Sequence, residues 1–135
     1  MAEHETEVID FFEDYAADFS ALGTQSLLHY FSRPCMVIAA QGVFSLASEV
    51  EIEQLFESMF ENLKARGYEH SDWLEMQIKF LDDNIALVSN VAAYYNAEGE
   101  ELERAAGTYT LHKADDLWKI AVIIVHSPDK LLHLD

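Results

Sequence analysis

Basic residues are scarce in this chain, where 8 lysines and arginines stand against 25 aspartates and glutamates for a formal net charge of −17. Such an excess repels phosphate backbones and anionic lipid surfaces, so no nucleic-acid or membrane partner is expected. Cysteine is rarer still. Cys35 has no second cysteine with which to close a disulfide, and the opening MAEHETEV carries acids where a secretory leader carries basic and apolar residues. A reducing cytoplasm is the expected location. Long hydrophobic runs are also missing: the longest, around Ile120 to Val125, is strand-sized against the roughly 20 residues that cross a bilayer. Five glycines and two prolines make no linker, repeat or low-complexity tract, so residues 1–135 are expected to form one domain. There is no glycine-rich phosphate loop and no Gly-x-Ser-x-Gly. The histidines His4, His29, His70, His112, His126 and His133 form neither a His-x-His pair nor a His-Glu-x-x-His helix, so no metal and no cofactor are expected. Cys35, within an apolar segment, reads as a small hydrophobe rather than a nucleophile.

What is present is core-forming material: half of the residues are hydrophobic and 12% aromatic. Val8, Phe11, Phe12, Tyr15, Phe19 and Leu22 recur at helical spacing, with Gly23 placed to end a first helix in the left-handed conformation. Thr24 can cap a short second helix carrying Leu27, Leu28 and Phe31, which ends near Ser32 because Pro34 disfavours helical geometry at Arg33. Cys35–Ala40 and Val43–Leu46 flank Gln41-Gly42 and read as a hairpin. Ser48 and Glu51 form a capping box for a third helix whose apolar stripe runs Ile52, Leu55, Phe56, Met59, Phe60, Leu63 and stops before Gly67. From Tyr68 the period becomes two. Turn signals at Asp82-Asp83-Asn84, Asn96-Ala97-Glu98-Gly99 and Asp115-Asp116 divide the remainder into a four-stranded meander. The acids, from Glu3 to Asp18 and from Glu49 to Glu61, are expected on outer helix faces as a solvated surface.

This order, helix, helix, hairpin, helix and meander, together with Asp116-Leu-Trp-Lys-Ile-Ala and His126-Ser127-Pro128, resembles the nuclear transport factor 2-like superfamily, with its SnoaL-like and ketosteroid-isomerase-like members. The resemblance spans roughly Val8 to Pro128. It implies an α+β, cone-shaped cystatin-like fold in which three helices cover the concave face of a curved, mainly antiparallel sheet. That superfamily includes isomerases, cyclases, dehydratases, epoxide hydrolases and non-catalytic binding or assembly domains, so it implies a fold and no single activity. In its isomerases a first-strand carboxylate is the base, and a helix-one tyrosine and a meander acid stabilise the enolate oxygen. By the resemblance Tyr15 takes the place of that tyrosine and Tyr109 that of the second donor. Ala39 falls near the base position, and the first strand has no carboxylate.

Turn lengths decide which residues of neighbouring strands share a face. A two-residue loop at Asp83-Asn84, a three-residue loop ending at Gly99 and a two-residue turn at Asp115-Asp116 align Leu74, Met76, Ile78 and Phe80 with Leu87, Ser89, Val91, Ala93 and Tyr95. The same reading continues through Ala105, Gly107, Tyr109 and Leu111 to Trp118, Ile120, Val122, Ile124 and His126. On this expected concave face Ser89, Tyr95, Tyr109, Trp118 and His126, opposite Tyr15 and Phe19, are the candidate ligand-binding residues; Tyr15, Tyr109 and His126 are the candidate catalytic ones. Buried tyrosine and histidine can equally serve only to satisfy one hydrogen bond in a core. Two functions stay open: a binding or accessory domain for a small hydrophobic ligand, or a small isomerase, dehydratase or cyclase with His126 as acid/base. The opposite face, with Trp73, Gln77, Val88, Asn90, Ala92, Tyr94, Arg104, Thr108, Thr110, Ala121, Ile123 and Val125, is too apolar for solvent, and a homodimer through it is expected.

Overall fold

The computed structural model describes residues 2–130, with side chains from residue 4, so His133 lies outside the described residues. Helix α1, Ala2–Ser20, buries Val8, Phe12, Tyr15 and Phe19 at spacings of four, three and four. Full burial of a side chain such as Phe12 contributes about 2–3 kcal/mol. The left-handed residue after α1 is Leu22 (φ 55°), not Gly23. The short second helix is a 3-10 helix, Gln25–Tyr30, and Thr24 makes no side-chain cap. Phe31 has already left it and opens strand β1, Phe31–Ala39, which begins four residues before the expected Cys35 because Phe31 pairs with Ile120 of the last strand. Strand β2, Gly42–Leu46, completes the hairpin.

Helix α2, Glu49–Ala65, starts as expected at Ser48, whose hydroxyl accepts from Glu51 N–H, while the Glu51 carboxylate reaches back to the N–H of Ala47. Gly67 follows its end at φ +80°, the conformation glycine adopts without penalty. Ile52, Phe56, Phe60 and Leu63 enter the core, whereas Leu55 and Met59 form a second, partly exposed column. Strands β3 (Tyr68–Asp82), β4 (Ile85–Asn96), β5 (Glu101–Ala114) and β6 (Leu117–His126) form the meander. The sheet order is β2-β1-β6-β5-β4-β3, antiparallel except for the β1–β6 pair. One core of helix residues packs against one sheet face through Phe31, Ala86, Val88, Leu111, Trp118 and Ile120. This is the expected α+β architecture.

The turns close where the sequence places them: Asp82 pairs with Ile85 and Ala114 with Leu117, the latter across Asp115 and Asp116, both at positive φ. The faces do not follow, because single-residue bulges interrupt the ladders. Leu81 is extra on β3, Leu102 on β5 and Ala121 on β6, and Leu74 is extra within β3. Each extra residue reverses which side chains share a face beyond it. The helix-covered face therefore carries Ala86, Val88, Asn90, Ala92 and Tyr94 of β4, with Trp73 in place of Leu74, and Ile123 and Val125 in place of Val122 and Ile124.

Candidate functional site

Where the helices diverge from the sheet, the concave face leaves a cavity of about 500 Å³. Helix α1 supplies Tyr15, Ala16 and Phe19, α2 supplies Leu55, Phe56 and Met59, and the β1–β2 hairpin supplies Val37, Ala39, Gln41 and Phe44. The sheet contributes Ser71 and Trp73, then Asn90, Ala92 and Tyr94, then Gly107 and Tyr109, and Ile123 and Val125. None of the lining side chains is charged. The aromatic walls brace one another edge to face: Phe12 lies 5.0 Å from Tyr109 and 5.7 Å from Trp73, whose indole N–H donates to the Phe12 carbonyl at 3.1 Å. Gly107 permits this arrangement, since a Cβ there would lie 3.0–3.2 Å from the Tyr109 ring and hydroxyl.

The polar groups are few, and each of these hydroxyls and amides can both donate and accept. Burial raises the Tyr15 hydroxyl well above its ordinary pKa, and neighbouring tyrosines add to the shift. Burial alone pushes Tyr109 up to about 12, its open side turned to the cavity rather than to bulk water. Tyr94 is raised mainly by burial too. All three stay protonated at neutral pH. Asn90 is 1% exposed and its Nδ2 has no hydrogen-bond partner among the described residues. Ser71 is tethered to Tyr68, whose hydroxyl meets Ser20, and Ser20 donates to the Ala16 carbonyl at 2.9 Å. This chain pins the wall, and among the described residues that line the cavity there is no carboxylate and no histidine.

Of the residues singled out in the sequence, Tyr15, Phe19 and Tyr109 line the cavity. Trp118 faces the same side but stands away from it, its N–H donating to Glu7 at 3.0 Å beneath Lys113. Ser89, Tyr95 and His126 are corrections: the bulge at Leu81 puts Ser89 and Tyr95, and the one at Ala121 puts His126, on the face the helices do not cover. There Tyr95 stacks on His70 at 5.1 Å. Ser89, Thr108 and His126 form a row across three strands, with Ser89 Oγ 3.0 Å from Thr108 Oγ1 and Thr108 Oγ1 2.8 Å from His126 Nε2. The other ring nitrogen lies 3.0 Å from the Ser127 carbonyl, an acceptor only, so Nδ1 carries a proton and donates. Since Tyr109 and His126 lie on opposite faces, His126 cannot act as acid or base in the cavity. Ala39 does line it, so where the isomerase-like reading asked for a carboxylate there is a methyl group.

Among the lining residues missed, Trp73, Asn90, Ala92, Tyr94, Ile123 and Val125 were assigned from sequence to the opposite face. Among the described residues no group of three or more histidine, cysteine, aspartate or glutamate side chains could hold a metal ion. No helix among them is long and apolar enough to cross a membrane.

Comparison with known proteins agrees with the fold. A family model described as NTF2-like protein (DUF6841) matches residues 4–128. A Nostoc punctiforme protein of unknown function with a cystatin-like fold superposes with a TM-score of 0.79 at 15% identity, over 95% of this chain and 94% of that one. The protein Aln2 from a Streptomyces species gives 0.79 at 16% identity, over 96% and 94%. An NTF2-like protein with a cystatin-like fold from Novosphingobium aromaticivorans gives 0.76 at 11%, over 96% and 84%. No curated protein matches the chain. At these identities the likeness concerns fold alone, and the fold with its buried aromatic cluster suits a ligand-binding domain.

Proposed function

We propose, from the premise that this chain belongs to the NTF2-like family DUF6841, that it is a binding domain whose concave cavity takes a small, hydrophobic molecule. The observation that carries this reading is a cavity of about 500 Å³ walled by aromatic and aliphatic side chains without a charged group. Its size falls in the range typical of small-molecule sites, and a few polar groups converge on it. Catalysis of the isomerase kind finds no support, since tyrosines held protonated can stabilise an oxygen but cannot abstract a proton. A reducing cytoplasm fits the free, buried Cys35. Ligand-observed NMR with a fragment library tests the reading. Neutral aromatic fragments bind the wild-type protein, and Ala39→Phe, which fills the cavity from β1, abolishes their binding while the circular dichroism spectrum persists. Equal binding by Ala39→Phe refutes it.

The uncovered face supports a second copy as partner. Across it Ile38, Ile124, Thr108, Ser89 and Gln77 stand in one row, and Met36, Val122, Thr110, Leu87 and Lys79 in the next. Ser89 and Thr108 are buried at its centre, and the accessible side chains around them, Met36, Ile38, Leu87, Val122 and Ile124 with Lys79 at the margin, suit a two-fold pairing. Light scattering at micromolar concentration reads a dimer for the wild type and a monomer for Ile124→Lys; a wild-type monomer overturns the pairing.

A further inference from the structure

Asn90 sits at the middle of β4, where its neighbours on the same face are Val88 and Ala92 and its partners across the ladder are Met76 and Gly107. An apolar side chain would suit this position. Instead an amide is buried with its Nδ2 unpaired among the described residues. Buried polar groups are nearly always paired, so an orphan donor on a side chain that lines a cavity points to a bond that a ligand atom completes as the amide turns toward it. The surroundings specify that atom. Gly107 opposite has no side chain to fill the space, and the Tyr109 ring folds over it, so a second donor borders the same end. The unpaired Nδ2 can only donate and no carboxylate lines the cavity, which favours an acceptor and disfavours a cation. With no charged residue in the lining, an anion would be desolvated without a counter-charge. The other end of the cavity differs: Phe44, Met59 and Val125 are 47%, 39% and 50% exposed and form an apolar rim.

Building on the binding reading above, we infer that the ligand is an uncharged, largely apolar molecule carrying a carbonyl or ether oxygen, which enters oxygen first. The oxygen accepts from Asn90 Nδ2, and the apolar body fills the aromatic walls and ends at the rim of Phe44, Met59 and Val125. Asn90 is the residue that determines specificity, and Tyr109 assists it.

Equilibrium dialysis against four matched probes tests this: 2-acetylnaphthalene, 2-isopropylnaphthalene, 2-naphthoate and (2-naphthylmethyl)trimethylammonium. The ketone binds the wild-type protein about tenfold more tightly than the hydrocarbon, the difference one buried hydrogen bond supplies, and the two ions bind weakest. In Asn90→Leu the preference for the ketone disappears and the hydrocarbon still binds. A readout independent of that variant's folding is the Asn90 side-chain amide proton of the wild-type protein, which moves downfield with the ketone and not with the hydrocarbon. Ketone and hydrocarbon binding alike, or an ion binding tightest, overturns the inference and leaves the binding reading in place. No binding by any probe overturns both.

Discussion

Replacing Asn90 by leucine exchanges an amide for two methyl groups on the same branched skeleton, at a site 1% exposed and bordering a cavity with room for the small increase in volume. Folding the wild-type chain strips water from the amide and returns no partner for Nδ2 among the described residues. A donor left so costs about 1–3 kcal/mol. Leucine removes that cost and adds apolar burial beside Val88 and Ala92, so the variant is expected to gain about 1–3 kcal/mol of stability. With a urea m-value of about 2 kcal/mol/M, the midpoint rises by roughly 0.5–1.5 M. The assay is equilibrium urea unfolding at pH 7, followed by circular dichroism and tryptophan fluorescence at one protein concentration, because self-association also shifts the midpoint. An unchanged m-value assigns the effect to the native state. Asn90→Ala, which removes the amide without adding contacts, falls between the two. A destabilised Asn90→Leu would mean that the amide is satisfied inside the protein, and the reasoning that makes it a ligand donor would collapse.

Three further outcomes follow from named contacts. Hydrogen bonds from Lys113 and Trp118 hold the Glu7 carboxyl below its ordinary value of 4.5. A carboxyl depressed by folding contributes stability above its unfolded pKa and loses it as pH falls through the folded one, so the gap between wild type and Glu7→Gln closes in urea titrations below about pH 4.5; a pH-independent gap contradicts this. His126→Ala leaves dialysis affinity for a cavity ligand within about twofold, because the ring lies across the sheet from Tyr109; a large loss would return His126 to the site. Gly107→Ala drives a methyl against the Tyr109 ring at 3.0 Å, so ketone affinity falls while stability changes by about 1–3 kcal/mol at most; unchanged affinity would remove Tyr109 from the ligand's path.

How the sequence could show the fold yet misplace half of the site comes down to parity. Helical spacing carries its own frame, so Tyr15 and Phe19 could be placed from α1 alone. In the meander each face is inherited from the previous strand. The bulge at Leu81 inverts β4 relative to the end of β3 and the one at Leu102 inverts again, so β5 and residues 76–80 of β3 lie on the expected side, while β4 is reversed and Leu74 reverses the first half of β3. Tyr109 was therefore found, and Ser89 and Tyr95 were exchanged for Asn90 and Tyr94. Ala121 divides β6 in the same way: Trp118 and Ile120 precede it and keep their face, while His126 follows it and loses it. No glycine or proline marks these bulges. The composition of β4 could not reveal the exchange either, since Leu87, Val91 and Ala93 on one face are as apolar as Ala86, Val88 and Ala92 on the other. The polar residues in mid-strand, Ser89 and Asn90, are neighbours on opposite faces, so they could not choose between the two either.

The claim that the concave cavity binds a neutral, hydrophobic carbonyl or ether compound is tested most directly by titrating 2-acetylnaphthalene into isotope-labelled protein and following side-chain resonances. Saturable shifts are expected at Tyr15, Tyr94, Tyr109 and the Asn90 amide, with Thr108, Tyr95 and His126 unmoved. Shifts centred on His126 and Thr108, or none at any of these residues, would contradict it.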